Sequence, residues 1–387
     1  MRSIARLTAA SGLSLAAVAL GATAASASPA HHGNKHVEKH HSDKRSAAVF
    51  VQSDNLAGNT VVAYSRSADG SLHRAGVHPT GGRGGMLVGS VVDHLASLGS
   101  VAYDRANGLL YTVNAGSDSV TVFSVKGTKL TRRQVIPSGG DFPNSIAVHG
   151  DLVYVLNARS GGTVQGFHQK NGKLAPIGAG HRALGFDPMM TPEFTSTPGQ
   201  VLFSPSGRQL LVSTKGDSSS IDVFSVGQNG GLSAKPTVNA EAGAAPFSGV
   251  FDAHGHLLEA EAGTNALGVY SLDANGTLNS LSQNPTGQVA TCWIVVAGGH
   301  AYVSNTGSNN LTGFDVGADG MAKSLGTTTT DGGTVDATAS PDGRFVYVQT
   351  GARGIVDAFR VEPSGALHQL GSVTVPGAVG GEGIAAS

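Results

Sequence analysis

Apolar residues in this chain alternate with small or polar ones in short runs, and glycine punctuates the runs. One phrase recurs seven times: an apolar residue, two variable residues, then an aromatic. The copies occupy 61–64, 120–123, 164–167, 221–224, 267–270, 311–314 and 356–359. Phe123 and Phe167, and Tyr270 and Phe314, are 44 residues apart, and Phe314 and Phe359 are 45 apart. A strand-like unit repeated at that period predicts the blades of a β-propeller.

Each repeat reads as four strands, a to d. Strand a alternates small and apolar residues, as in Val101-Ala102-Tyr103, Ile146-Ala147-Val148 and Val201-Leu202-Phe203. A tight turn follows, written Ser204-Pro205-Ser206-Gly207-Arg208 or Ser340-Pro341-Asp342-Gly343-Arg344. Proline presets the turn and glycine supplies the positive φ. Strand b comes next, as in Leu110-Tyr111-Thr112-Val113-Asn114 and Ala301-Tyr302-Val303-Ser304-Asn305. Strand c holds the recurring aromatic, and a Gly-x-Leu hairpin leads into strand d.

The two ends set the blade count. The first repeat begins at strand b, with Ala48-Val49-Phe50-Val51, and the last residues, Gly383-Ile384-Ala385-Ala386, read as an unpaired strand a. Six further strand-a segments start near Val101, Ile146, Val201, Val250, Ile294 and Val335. The predicted fold is all-β: a seven-bladed β-propeller of four-stranded blades. It is closed by pairing the C-terminal strand with the N-terminal blade, which removes the open edge. Two insertions, 81–99 and 178–198, fall between strand d of one blade and strand a of the next. Topology puts them on the same face as the b–c loops, opposite the Pro-Gly turns. Long loops in a compact fold are commonly functional.

Ahead of the repeats the pattern changes. Arg2 and Arg6 precede an apolar run over 7–20, and Ala25-Ser26-Ala27 reads as a cleavage site, so 1–27 is expected to be a signal peptide. The apolar run is too short for a stable membrane anchor. Residues 28–46 are a polar, histidine-rich linker with no means of packing, and 47–387 is the propeller domain. A secreted protein is expected. Removing the two arginines leaves 23 Lys+Arg against 26 Asp+Glu, which argues against nucleic acid as a partner. The single cysteine, Cys292, rules out an internal disulfide and reads as a small buried hydrophobe.

The crown loops carry the candidate chemistry. The ligand-binding candidates are Asn144, Arg159, Lys215, Glu261, Trp293, Arg353 and Glu382, with His181, Arg182 and Glu193 from the second insertion. Asparagines at such loops commonly satisfy their own backbone, and isolated loop charges are commonly solvated. The only tryptophan suits core packing at least as well as ligand stacking. Asp93 and His94 form a second acid–base pair in the first insertion. His31, His32, His36, His40 and His41 form a loose potential metal site in the linker. No zincin run, phosphate loop or nucleophile elbow is present, and no cofactor is expected.

The Tyr-Val-x-Asn strands, Gly116-Ser117-Asp118-Ser119-Val120-Thr121-Val122-Phe123 and the Ser-Pro-Asp-Gly-Arg-Phe-Val-Tyr-Val stretch over 340–348 resemble the seven-bladed lactonase family. That family includes 6-phosphogluconolactonases and carboxymuconate cyclases and shades into YVTN-type propellers. The resemblance covers about 47–387 and extends to secreted actinobacterial lactonase-like proteins, through Ala260-Glu261-Ala262-Gly263-Thr264-Asn265 and Gly380-Gly381-Glu382-Gly383-Ile384. It implies the propeller fold and, in the enzymes, lactone hydrolysis or cycloisomerisation. The chain departs from the enzymes where their chemistry is expected. Pro143 is followed by Asn144-Ser145 rather than Arg-His, Asn157 by Ala158 rather than Glu, and Thr214-Lys215-Gly216 replaces Asp-Leu-Gly. No catalytic residue transfers. The expectation is an exported, monomeric propeller that binds a small molecule or a protein at its crowned face, with degenerate lactonase motifs. The alternative is an extracellular lactone hydrolase or cycloisomerase.

Overall fold

The structure is a computed structural model that describes residues 47–387. The signal-peptide and linker expectations, with the five linker histidines, lie outside the described residues. Among those described, seven four-stranded antiparallel sheets form an all-β, seven-bladed propeller. In chain order, blade 1 takes in 48–79, blade 2 101–137, blade 3 143–183, blade 4 200–240, blade 5 246–285, blade 6 291–329 and blade 7 334–374.

The innermost strand of blade 1 is Ile384–Ala386, which pairs antiparallel with Ala48–Gln52. The register sets Val49 opposite Ala386 and Val51 opposite Ile384. Gln52 N donates to Gly383 O at 2.8 Å, and Ser387 N donates to Ala48 O at 2.9 Å. The ring is therefore closed by backbone hydrogen bonds between the two ends of the domain, as the sequence pattern predicts.

The recurring phrases have a packing origin. Tyr64, Phe123, Phe167, Phe224, Phe314 and Phe359 are fully buried, and Tyr270 nearly so. Three of the four strand-b tyrosines reach the next blade. Tyr302 Oη donates to Gly365 O at 2.8 Å and Tyr347 Oη to Gly70 O at 2.9 Å, and Tyr154 Oη donates to Gly230 O. Each acceptor is the hairpin glycine of the following blade. Gly70 has φ +94°, and a Cβ there would stand 2.3 Å from the ring of Phe345. The Tyr-Val strand and the Gly-x-Leu hairpin are thus two halves of one inter-blade contact.

The second insertion is shorter than its sequence suggests. Strand d of blade 3 runs Lys173–Ala183, with a bulge in its pairing between Gln165 and Phe167. His181 and Arg182 therefore lie in this outer strand and not in a crown loop. Arg182 Nε donates to Ser233 O at 2.8 Å, tying blade 3 to the hairpin of blade 4. The loop proper begins at Leu184 and contains one short helix, Glu193–Ser196.

Candidate functional site

The segment 81–99 lies across the crown mouth of the central channel. Leu87 and Leu95 are fully buried and Ala96 nearly so. They cluster with Phe142, Phe247, Cys292, Trp293 and Val335, residues supplied by four other parts of the ring. Local chemistry aims the segment inward. Asp93 Oδ1 accepts from Leu95 N at 3.0 Å and Ala96 N at 2.8 Å, a tight side-chain turn that points Leu95 down. His94 N donates to Gly380 O at 2.8 Å, and Leu98 N to Gly199 O at 3.0 Å. Gly84 permits a close approach: a Cβ there would sit 2.1 Å from Asp54 O.

Several of the sequence candidates meet this plug. The ammonium of Lys215 is buried and donates to Ala96 O at 2.7 Å, Phe194 O at 2.8 Å and Thr197 Oγ1 at 3.2 Å. It also lies 5.2 Å from the centre of the Phe247 ring. One side chain thus holds both crown insertions. Arg159 donates from Nη2 to Glu193 Oε2 at 2.9 Å and to Met86 O at 3.0 Å, and its Nε bonds Glu193 Oε1. Its guanidinium stacks 4.3 Å from the Phe142 ring. Glu193 Oε2 accepts from Val88 N at 2.6 Å, which binds the short helix to the plug. Trp293 Nε1 donates to Ser97 O at 2.5 Å, and its ring packs 4.7 Å from that of Phe247. Asn144 Nδ2 donates to Pro198 O at 2.9 Å, while its buried Oδ1 has no partner. Glu382, fully buried, accepts from Ser97 N at 3.1 Å and Ser97 Oγ at 2.9 Å.

Other candidates lie apart. Glu261 is buried inside blade 5, where Tyr270 Oη donates to it at 2.6 Å, Thr264 Oγ1 at 2.7 Å and Gln283 Nε2 at 2.6 Å. These donors sit on outer strands and the b–c turn of the same blade, so its carboxylate serves that blade. Arg353 is exposed at the crown rim, with Nη2 3.1 Å from Asp331 Oδ1. Ser97, Phe142 and Phe247 belong to the site without having carried a sequence signal; only tertiary packing brings them there. Asp93 carried only the weak signal of its neighbour His94.

The electrostatics follow from burial. Desolvation lowers the Lys215 ammonium to about 8, despite the opposing pull of Asp93 and Glu382. Burial, reinforced by the charge of Asp93, raises Glu382 well above the ordinary carboxylate range. Asp93 is also raised by burial. Asp336, beneath them, is pushed up to about 8 by burial, against the N–H groups of Ile384 and Ala337. Burial raises the Cys292 thiol to about 12, so it is an inert thiol at neutral pH. For Glu193, burial is outweighed by the bonds from Arg159 and Val88, and its carboxyl sits below its ordinary value.

One recess at this face is small. The recess lined by Arg159, Gly161, Phe186, Met190, Glu193 and Thr197 holds about 40 Å³. Ligand pockets usually reach several hundred Å³. Among the described residues, no group of three or more His, Cys, Asp or Glu is placed to hold a metal ion.

Comparison with known proteins agrees with the architecture. No curated protein matches the chain. Among solved structures, the Pseudomonas aeruginosa periplasmic gluconolactonase superposes with a TM-score of 0.69 at 18% identity, over 88% of this chain and 98% of that one. A Bacteroides uniformis protein assigned as a 6-phosphogluconolactonase gives 0.72 at 17%, over 89% and 100%. A Lactobacillus plantarum protein gives 0.70 at 21%, over 88% and 99%. At these identities the likeness establishes the fold. The family model described as lactonase, 7-bladed beta-propeller, matches residues 17–185, so part of the chain is similar to that family, and its fold is a seven-bladed β-propeller.

Proposed function

We propose that this lactonase-like propeller is an exported, monomeric binding module whose crown meets a small molecule or a protein, and that it has lost lactonase chemistry. The observation that carries this reading is the occupation of the channel mouth by the chain's own segment 81–99. The groups that would polarise a lactone are already committed. Lys215 donates to protein oxygens, Arg159 is neutralised by Glu193, and Trp293 is bonded to the plug. The crown instead presents apolar side chains to solvent: Met86, Val88, Val91, Met189 and Val379 are 44%, 68%, 85%, 81% and 63% exposed. Exposed apolar residues gathered on one face suit a partner surface. The sequence of the first 27 residues supports export.

The test is a lactone-hydrolysis screen on the purified protein, with gluconolactone and 6-phosphogluconolactone as substrates. Ring opening at the spontaneous rate is expected. Faster turnover that Glu382→Gln abolishes, with the melting temperature retained, would sink this reading. The second reading, a lactone hydrolase, is favoured by one observation: Lys215, Asp93 and Glu382 sit together with shifted proton affinities. Such groups concentrate at active sites. On that reading the plug must swing out before chemistry begins.

A further inference from the structure

The face opposite the crown carries a charge pattern that folding does not explain. In blade 2 the c–d hairpin sets Lys126 directly opposite Lys129, and in blade 3 it sets Lys170 directly opposite Lys173. Like charges in register across two strands are destabilising. Blades 5, 6 and 7 end their hairpins instead with the apolar pairs Leu272 and Leu278, Val316 and Ala322, and Val361 and Leu367. Arg105 and Arg133 join the four lysines, and all six side chains are exposed. No described acid forms an ion pair with any of them. The arginines Arg344 and Arg360 of blade 7, by contrast, each pair with a neighbouring acid. The two acids on the adjoining lower turns bond neighbours other than these cations. Asp104 accepts from Asn107 N and Nδ2, and Asp151 accepts from His168. A chain of net charge −1 therefore concentrates unpaired positive charge on one edge of two adjacent blades.

A groove runs through this patch. Two adjoining recesses of about 450 and 460 Å³ share Asn107 and Gln169. Arg133, Lys170, Ser124 and Asn171 line the first. Arg105, Tyr103 and His149 line the second, together with the carboxylates of Asp104 and Asp151. Among the described residues, the exposed large hydrophobics lie outside this lining, so the patch lacks what insertion into a lipid surface needs. Amide and hydroxyl side chains between cations match a chain of sugar hydroxyls punctuated by carboxylates, and arginine grips a carboxylate through two parallel bonds.

We propose that this groove is a docking surface for an anionic polysaccharide whose sugar rings carry carboxylates. It lies on the opposite face from the crown, so it stands or falls independently of the function assigned there.

The test is binding of the purified protein to polygalacturonate at low and moderate salt, measured by calorimetry. Duplex DNA, anionic lipid vesicles and a neutral glucan serve as comparisons. The expected result is binding to polygalacturonate that weakens as salt rises. The double variant Lys126→Glu with Lys170→Glu, and Arg133→Ala alone, should each weaken it at least 10-fold. Lys323→Glu, an exposed change of the same charge on blade 6, should leave it within 2-fold. The double variant turns both like-charge pairs into opposite-charge pairs, so its melting temperature should hold or rise, which separates lost binding from lost folding. Absence of binding at low salt, binding that the hairpin variants leave intact, or tighter binding to DNA or vesicles than to the polyuronate would overturn the proposal.

Discussion

A buried ammonium is costly unless its hydrogen bonds are met, and Lys215 meets all three. Its partners are 119, 21 and 18 residues away in sequence. The residue type and its place after strand b mark Lys215 as a crown cation, but nothing local says that its charge turns inward. Replacing it by Met would keep the length of the side chain and leave Ala96 O and Phe194 O without a donor. Each orphaned buried acceptor costs about 1–3 kcal/mol, offset in part because the charge no longer needs to be desolvated. Lys215→Met should therefore lower the unfolding free energy by roughly 2 kcal/mol. It should also open 84–98 and 185–198 to proteases well before any blade is cut. Urea denaturation and limited proteolysis with mass analysis check both outcomes. Unchanged cleavage of the two loops would show that Lys215 is not what holds them.

At the scale of elements, the ring depends on its shortest strand. Ile384–Ala386 supplies the inner edge of blade 1, and the adjacent Glu382 accepts from Ser97 of the plug. Removing 380–387 would bare the inner edge of Ala48–Gln52 and remove one anchor of segment 81–99 together. The truncated protein should lose its sharp thermal transition or aggregate, because an unpaired inner strand is a template for pairing with another chain. Calorimetry and light scattering of the truncated protein give the answer, and a melting profile like that of the intact chain would count against closure. Elements of this kind were the most legible part of the sequence. Each blade repeats an aromatic that fills the gap between sheets, and blades 3, 6 and 7 add a tyrosine that reaches the next hairpin and a glycine that accepts it. The crown was legible only as a location. Strand d of blade 3 runs on to Ala183 through a bulge, which no alternation pattern marked, so His181 and Arg182 fall on the wall of the propeller. Glu261 ends a strand whose neighbours in the blade, Tyr270 and Gln283, draw it away from the channel.

Across the whole molecule, buried carboxyls set how stability responds to pH. Burial pushes Glu259 and Asp336 up to about 8 and Asp357 up to about 6, and it raises Glu382, Asp93 and Asp54 as well. In the unfolded chain these groups titrate near 4. Between those values the unfolded chain gives up protons that the native protein keeps. Stability contributed by a raised carboxyl is complete below its unfolded value and is lost as pH climbs through its folded one. Lys215 acts in the opposite sense over a different window. Its folded value of about 8 lies below the unfolded one, so it favours folding only as pH rises from about 8 towards 10. Several carboxyls outweigh one lysine, and their windows scarcely overlap. The melting temperature should therefore be highest near pH 4 and fall steadily to pH 8, by on the order of 5 °C or more. Glu259 offers the sharpest check. It accepts from Ser213 Oγ at 2.7 Å in a fully buried site of blade 5, remote from the plug. Glu259→Gln keeps the shape and discards the titration, so the variant should gain on the parent as pH rises and show a flatter melting profile between pH 5 and 8. A parent protein whose melting temperature rises from pH 5 to 8 would mean that these carboxyls are ionised and paired in the native state, contrary to the buried settings described.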